Sequence, residues 1–528
     1  MSRRSLPLLA APLLLAGLAS GPFADAPEAF ADDAEPESLS TSLSMRFDRL
    51  WASAHGEPGP RCDDTTFLRR LFLDVRGRIP RPEELGTFLA DSRSDKRRRA
   101  IEAALAAPEH ARLIARRRAR RILAADTPGP ARAAFERGLT RLYQSVPEAG
   151  TRQAALLGFQ GITPQRPLGL FLAQFRGRPD DTAAAVSRAF LGLSLDCARC
   201  HDHPFERWTR ADFHGLAAAF ARVRVRPRGN GSLQVSESPV GDYHAKVDDS
   251  GRARPIVPRM PDGATLAAGP GADQARPSVT SRRQALLDWL QGDGAALAAR
   301  ARAQRIVHEL CGIALVGEGP ESLPPPGSDP ALLTALTEAL RSEDLSDREL
   351  RRAILLSRSW QQQAPEAGVK DSRVVRAIQR PLDGEQFVGA LLVALGRDRP
   401  REGEPEFLHR ATVRRLRVEL TAAQPDAGDV LFGSSVRAAL KLRHSPVLDG
   451  LTRALPGRLL GDLLAEHPPG PAGDRAALTA LVRRCLCRDP TDGELVRWLP
   501  LVSEGPRAEV YEDLFHALLC SPWFAARR

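Results

Sequence analysis

Lysine is nearly missing from this 528-residue chain: of its 75 lysines and arginines, only Lys96, Lys246, Lys370 and Lys441 are lysines. Aromatic residues make up 5 %, and methionine stands only at Met1, Met45 and Met260. Cores must therefore be built from Leu, Ala and Val, which favours helix packed on helix. No apolar run reaches the roughly 20 residues of a membrane-spanning helix. No phosphate-cradling glycine loop, HExxH or GxSxG occurs, which removes P-loop, zincin and serine-hydrolase chemistry from consideration. No short repeat of fixed period marks a solenoid.

The formal net charge of +10 is a small excess over 65 acidic residues. Spread along an Arg-rich chain, it does not make the clustered cationic footprint of a nucleic-acid binder, and no nucleic-acid partner is expected. The densest runs, Lys96 to Arg99 and Arg116 to Arg121, fall in helical patterns and read as solvated faces.

Arg3 and Arg4 precede an apolar run from Leu6 to Ala19, and an acidic stretch begins at Asp32. This is the pattern of a secretory signal, with Ala29-Phe30-Ala31 as the small-x-small cleavage site. Residues 1–31 are thus expected to be a signal peptide, leaving an exported mature chain in the periplasm or cell envelope without a transmembrane span.

The remainder reads as mainly α: irregular helical bundle domains joined by a long irregular segment with little β. A lead and first helix occupy 32–60, with a helical pattern from Leu39 to Trp51. A helical domain spans 61–223, opened by the capping residues Asp63-Asp64-Thr65 and punctuated by Gly77, Pro80, Pro82 and Pro108. Within it, one apolar helix is expected from Asp180 to about Arg199 and another from Thr209 to Val223. Residues 224–278 form the irregular segment, with a small hairpin near Ser232 to Val235. Helical periodicity resumes at Arg282, so 279–528 reads as a second helical domain, broken by Pro324-Pro325-Pro326.

One motif carries chemistry. Cys197-Ala198-Arg199-Cys200-His201 has the c-type haem spacing, in which two thiols bond to the porphyrin vinyl groups and the next histidine ligates iron. With seven Cys and 11 His in the chain, such a motif arises by chance on the order of a few times per thousand sequences of this kind. Three other readings use the same residues: a short disulfide, a redox-active CxxC pair, or a zinc-like cluster of Cys197, Cys200, His201, Asp202 and His203. A thiol oxidoreductase would want a βαβ context, which this region lacks. His203 is placed to buttress the site, and His214, His244 and Met260 are the candidate supporting or distal groups; an open iron would point to ligand binding or catalysis. His308, His409, His444, His467 and His516 are dispersed and read as surface or satisfied core residues. Cys62, Cys311, Cys485, Cys487 and Cys520 cannot be paired from sequence.

Several blocks together resemble the planctomycete cytochrome-like proteins, in which a cytochrome-like domain precedes a planctomycete-specific domain of unknown function. Phe67 to Pro80 resembles that family's opening helix; Phe190 to Phe205 with Trp208 resembles its central block. Pro258 to Gly263 resembles a short element before the second domain, which is similar to Arg282 to Leu286 at its start and Asp513 to Pro522 at its end. The chain departs from the family at Ile114 to Arg117 and Gln304 to Val307, where tryptophan-containing elements are usual. The resemblance implies an exported helical protein; with the motif, the expected function is electron transfer or redox chemistry by covalent haem on Cys197 and Cys200, with His201 as proximal ligand and an unidentified redox or envelope partner. The alternatives are a haem-free protein or enzyme that holds zinc or another transition metal and acts on an envelope or extracellular polymer, and a structural module with a Cys197–Cys200 disulfide.

Overall fold

The computed structural model describes residues 34–146, 149–158, 161–162, 167–204, 207–228, 233–247, 251–266, 281–313, 315, 330–342, 345–363, 379–401, 403–421 and 442–527. The expected signal, the Pro-rich break and residues 267–278 of the expected irregular segment lie outside them. The structure is 65 % helical with few short strands, the mainly α class that the composition requires.

Local chemistry sets many helix ends. The Asp63 carboxylate accepts from the Thr66 backbone N–H at 2.8 Å and opens the helix Asp64–Leu71, satisfying one of the donors a helix N-terminus leaves unpaired. Prolines open the helices Pro82–Ala90 and Pro108–Ile122, where the missing N–H costs nothing. After Asp64–Leu71 a wide π-helical turn, Phe72–Arg76, ends at Gly77 with φ 69°, a left-handed conformation that favours glycine. A second glycine meets it: a Cβ at Gly389, in the helix Gly384–Ala394, would lie 1.8 Å from the Gly77 carbonyl oxygen.

The single helix expected from Asp180 to Arg199 is not formed. The helix Pro179–Val186 runs into a second π-helical turn, Ser187–Leu191, which stops at Gly192 with φ 65°. A Cβ there would sit 2.9 Å from Ala301 Cβ on the helix Ala295–Cys311. Beyond it Leu193 and Leu195 are buried while Ser194 and Asp196 are not, the period of extended chain. The helix after Thr209 is also shorter than expected, Arg210–Ala218. From Val223 the chain enters a strand, Val223–Pro227, antiparallel to Leu233–Glu237, which also pairs with Gly161–Ile162. Leu233 to Val235 of the expected hairpin thus lie in a paired strand, while Ser232 falls outside the described residues; a second ladder joins Tyr243–Ala245 to Arg254–Ile256. The described part of the segment is therefore more regular than its Pro and Gly content implied.

Two hydrophobic cores group the chain differently from its order in sequence. One gathers Phe47, Phe67, Phe72 and Ile101 with Leu310, Leu350, Phe387, Leu481 and Phe515. The other gathers Phe135, Phe171, Phe190, Phe213 and Met260 with Leu286 and Trp289. The helix Ala295–Cys311 contributes Ala298 to the second and Ala303 and Ile306 to the first. Buried Asp74 ties the first core together, accepting from Arg527 Nε at 2.8 Å and from Arg380 Nη2, Trp360 Nε1 and Gln386 Nε2 at 3.2 Å each.

The basic runs are not simply solvated faces. Lys96 pairs with Asp64 at 2.6 Å, and Arg97 Nη2 donates to the Cys62 carbonyl at 2.7 Å. Arg117 pairs with Asp383 at 2.5 Å, Arg120 with Glu385 at 3.0 Å, and Arg118 is buried. Burial would raise the Glu385 pKa, but Arg417, Arg116 and Arg120 hold it down to about 2. Asp383 stands 266 positions beyond Arg117, and Glu385 stands 265 beyond Arg120, so a local pattern could not reveal either partner.

Candidate functional site

The cysteine motif lies on a short 3₁₀ turn, Cys197–Arg199, that follows the extended stretch beyond Gly192. The N–H groups of Cys200 and His201 both donate to the Cys197 carbonyl, at 3.2 and 3.3 Å. On a 3₁₀ turn successive side chains stand about 120° apart, so a single residue of the turn can face the core while its neighbours face outward. Ala198 is fully buried in the second core, whereas Cys197 is half-buried and Cys200 and His201 are exposed. No disulfide joins Cys197 to Cys200. His201 Nδ1 lies 2.8 Å from the Asp202 carbonyl oxygen, so Nδ1 is the donor in this contact and Nε2 is the ring nitrogen not engaged in it.

The residues after the motif hold the turn. Asp202 Oδ1 accepts from the Arg210 backbone N–H at 2.8 Å, and the His203 N–H donates to the Trp208 carbonyl at 2.7 Å. Thr209 and Asp212 cap the helix Arg210–Ala218 reciprocally, with the Thr209 N–H donating to Asp212 Oδ2 at 2.9 Å. His203 and Trp208 are buried while Asp202 is exposed. His203 is thus buried while Cys200, His201 and Asp202 are exposed, and among the described residues no three His, Cys, Asp or Glu side chains gather into a metal-holding group.

The candidate supporting groups separate as well. Met260 is fully buried in the second core, and its N–H donates to the Ala264 carbonyl at 2.7 Å. His244 is exposed on the strand Tyr243–Ala245, opposite in the pleat to its neighbour Tyr243. His214 is buried behind the motif, with Nδ1 2.7 Å from the Tyr243 hydroxyl.

That contact opens a network that sequence reading did not find. The Tyr243 hydroxyl donates to Asp180 Oδ1, and Arg199, inside the motif, pairs with Asp181 at 3.1 Å and Asp180 at 3.5 Å. Burial and then the bond to Asp180 push the Tyr243 pKa well above its usual value, keeping the hydroxyl protonated. Burial lowers the His214 pKa, against the Asp180 charge and a hydrogen bond to the Arg199 backbone that raise it. The network runs from the helix Pro179–Val186 through the strand at Tyr243 and back to the turn. The one hint in the sequence was the scarcity of tyrosine, with three in the whole chain.

Comparison with protein families gives two matches. Residues 47–149 and 144–225 match PSCyt2, a protein of unknown function (DUF1549), and residues 282–429 match PSD1, a protein of unknown function (DUF1553). Both are domains of the planctomycete cytochrome-like family, consistent with the resemblance in the sequence. No curated protein and no solved structure matches it. The PSCyt2 match contains the whole Cys197–His201 turn, with Asp180 and His214, while Tyr243 and Met260 fall between the two matches. The PSD1 match supplies Arg380 and Gln386 to the Asp74 cluster, and Asp74 itself belongs to the PSCyt2 match. Among the described residues, no helix is long and apolar enough to cross a membrane.

Proposed function

We propose that this chain is an exported c-type haem protein of the cell envelope, and that its reaction is electron transfer with an envelope partner. The observation that carries the reading is the division of one tight turn: Ala198 anchors it in the core, while Cys197, Cys200 and His201 are presented outward and unbonded to one another. A vinyl-linked haem needs this arrangement. Each thiol adds across one vinyl group, forming a C–S bond while the thiol hydrogen goes to the neighbouring carbon, and no oxidant is consumed.

The imidazole fits the same role. With Nδ1–H donating to the Asp202 carbonyl, Nε2 is the nitrogen that would hold the iron, and the backbone acceptor would orient the ring for it. Haem bound there supplies reversible one-electron chemistry. The chain's own residues hold the turn through Asp202, Thr209, Asp212 and the Asp180–Tyr243–His214 network. His214 and Met260 are engaged within the fold, so neither is assigned as a distal ligand. Export rests on the Arg3 to Ala31 pattern.

The test is expression with the N-terminal segment in a host that has cytochrome c maturation machinery, followed by a pyridine haemochrome spectrum on purified, denatured protein. Haem that stays with the polypeptide, and disappears in Cys197→Ala with Cys200→Ala, is the expected result. A colourless product processed at the N-terminus in that host refutes the proposal.

A further inference from the structure

A cavity of about 360 Å³ lies away from the cysteine turn, between the helices Pro108–Ile122, Ala295–Cys311 and Asp347–Leu356. Its lining is strongly cationic: among the described residues eight arginines face two carboxylates, Glu309 and Asp347. Those carboxylates are already taken. Asp347 accepts from Arg152 at 2.6 Å and Arg302 at 2.7 Å, Glu309 pairs with Arg351 at 2.6 Å, and Arg117 turns to Asp383.

Arg118 and Arg305 are held differently. Both donate to one neutral acceptor, the Ala189 carbonyl, at 2.7 and 2.9 Å. Arg118 is 7 % exposed, and its Nη1, like Arg305 Nε, is buried with no hydrogen-bond partner among the described residues. A guanidinium stays charged in proteins. Burial, with repulsion from Arg118 and Arg121, lowers the Arg305 pKa only to about 9, so it is still a cation at neutral pH. His110, on the same wall, is kept neutral by burial and by Arg351, and adds no charge. A buried cation and a half-buried one that share one carbonyl are under-compensated, and a bound anion would supply the missing charge and acceptors.

We propose that this cavity binds a small, multiply charged oxyanion, carrying phosphate or carboxylate groups, through Arg118 and Arg305 with Arg348 at the exposed side. The planar guanidinium fork is matched to either group, and the volume falls within the range of about 300–1,000 Å³ typical of small-molecule sites. The site shares no residue with the proposed haem turn, so it stands or falls separately.

The full chain is titrated with pyrophosphate and with citrate by calorimetry and thermal melting, at fixed ionic strength against sodium chloride. A saturable signal and a raised melting temperature with at least one anion are expected, and whichever binds identifies the group. Arg305→Met should weaken binding at least tenfold. Arg348→Gln, at an exposed position that the fold does not need, should weaken it several-fold with the melting temperature of the free protein unchanged. No saturable effect beyond that of sodium chloride refutes the proposal, as does wild-type affinity in Arg348→Gln together with any folded Arg305→Met.

Discussion

Replacing Asp74 by Asn removes one negative charge while keeping the shape of the side chain. In the native protein that charge faces two buried guanidiniums, Arg380 and Arg527, at 3.2 and 2.8 Å, and accepts from Trp360 and Gln386. Asp74 and Arg527 are each 1 % exposed, so water cannot replace the lost partner. Breaking a buried pair from one side costs about 3–5 kcal/mol, because an uncompensated charge is left behind. Set against a typical stability of about 5–15 kcal/mol, that is a large fraction. Asp74→Asn is expected to lower the urea midpoint accordingly, read by far-ultraviolet circular dichroism, since the core closed on Asp74 gathers helices from both family matches. Arg527→Met in the same protein removes one stranded cation, so the double variant should recover at least about 1.5 kcal/mol relative to the sum of the single changes. A loss below about 1 kcal/mol in Asp74→Asn, or strict additivity, would refute the reasoning.

Gly389→Ala forces the helix Gly384–Ala394 off the Gly77 carbonyl, 1.8 Å from where the new methyl would sit, and should cost about 1–3 kcal/mol; an unchanged thermal midpoint would contradict the packing. Tyr243→Phe removes the hydroxyl that joins Asp180 to His214, at an expected loss of about 1–3 kcal/mol in denaturant titration, and a neutral outcome would remove the network from the account of the turn. Burial, then repulsion from Arg351, lowers the His110 pKa from 6.5 to about 3. Below pH 6.5 the unfolded chain therefore takes up a proton that the folded chain does not. Stability is complete above pH 6.5 and falls by about 1.4 kcal/mol per pH unit towards pH 3. His110→Asn, which can still donate to the Val75 carbonyl, should flatten that slope, and an unaltered slope would place the titration elsewhere.

Much of the candidate site was legible because it is local. The spacing from Cys197 to His201 and the Thr209 cap each depend on residues within one turn of one another. The same holds for the Asp63 cap and the prolines that open helices. The helix expected across Asp180 to Arg199 failed because a run of apolar residues has no single period. Gly192 and close packing on Ala301 turned its second half into extended chain with alternating burial. The arginine runs were read as solvated because their carboxylates, Asp383 and Glu385, arrive from a distant part of the chain.

By itself the sequence determined the helical class, several helix starts, and the one motif with haem-binding spacing, since caps, prolines and CxxCH act over a few residues. Only the tertiary structure decided which faces of that motif meet solvent, that Asp180 and Tyr243 stand behind it with His214, and that the two family domains share a core closed on Asp74. It also gathered arginines from four helices around one cavity. These are contacts between residues tens to hundreds of positions apart, and burial, which sets their electrostatic weight, exists only once the chain has packed.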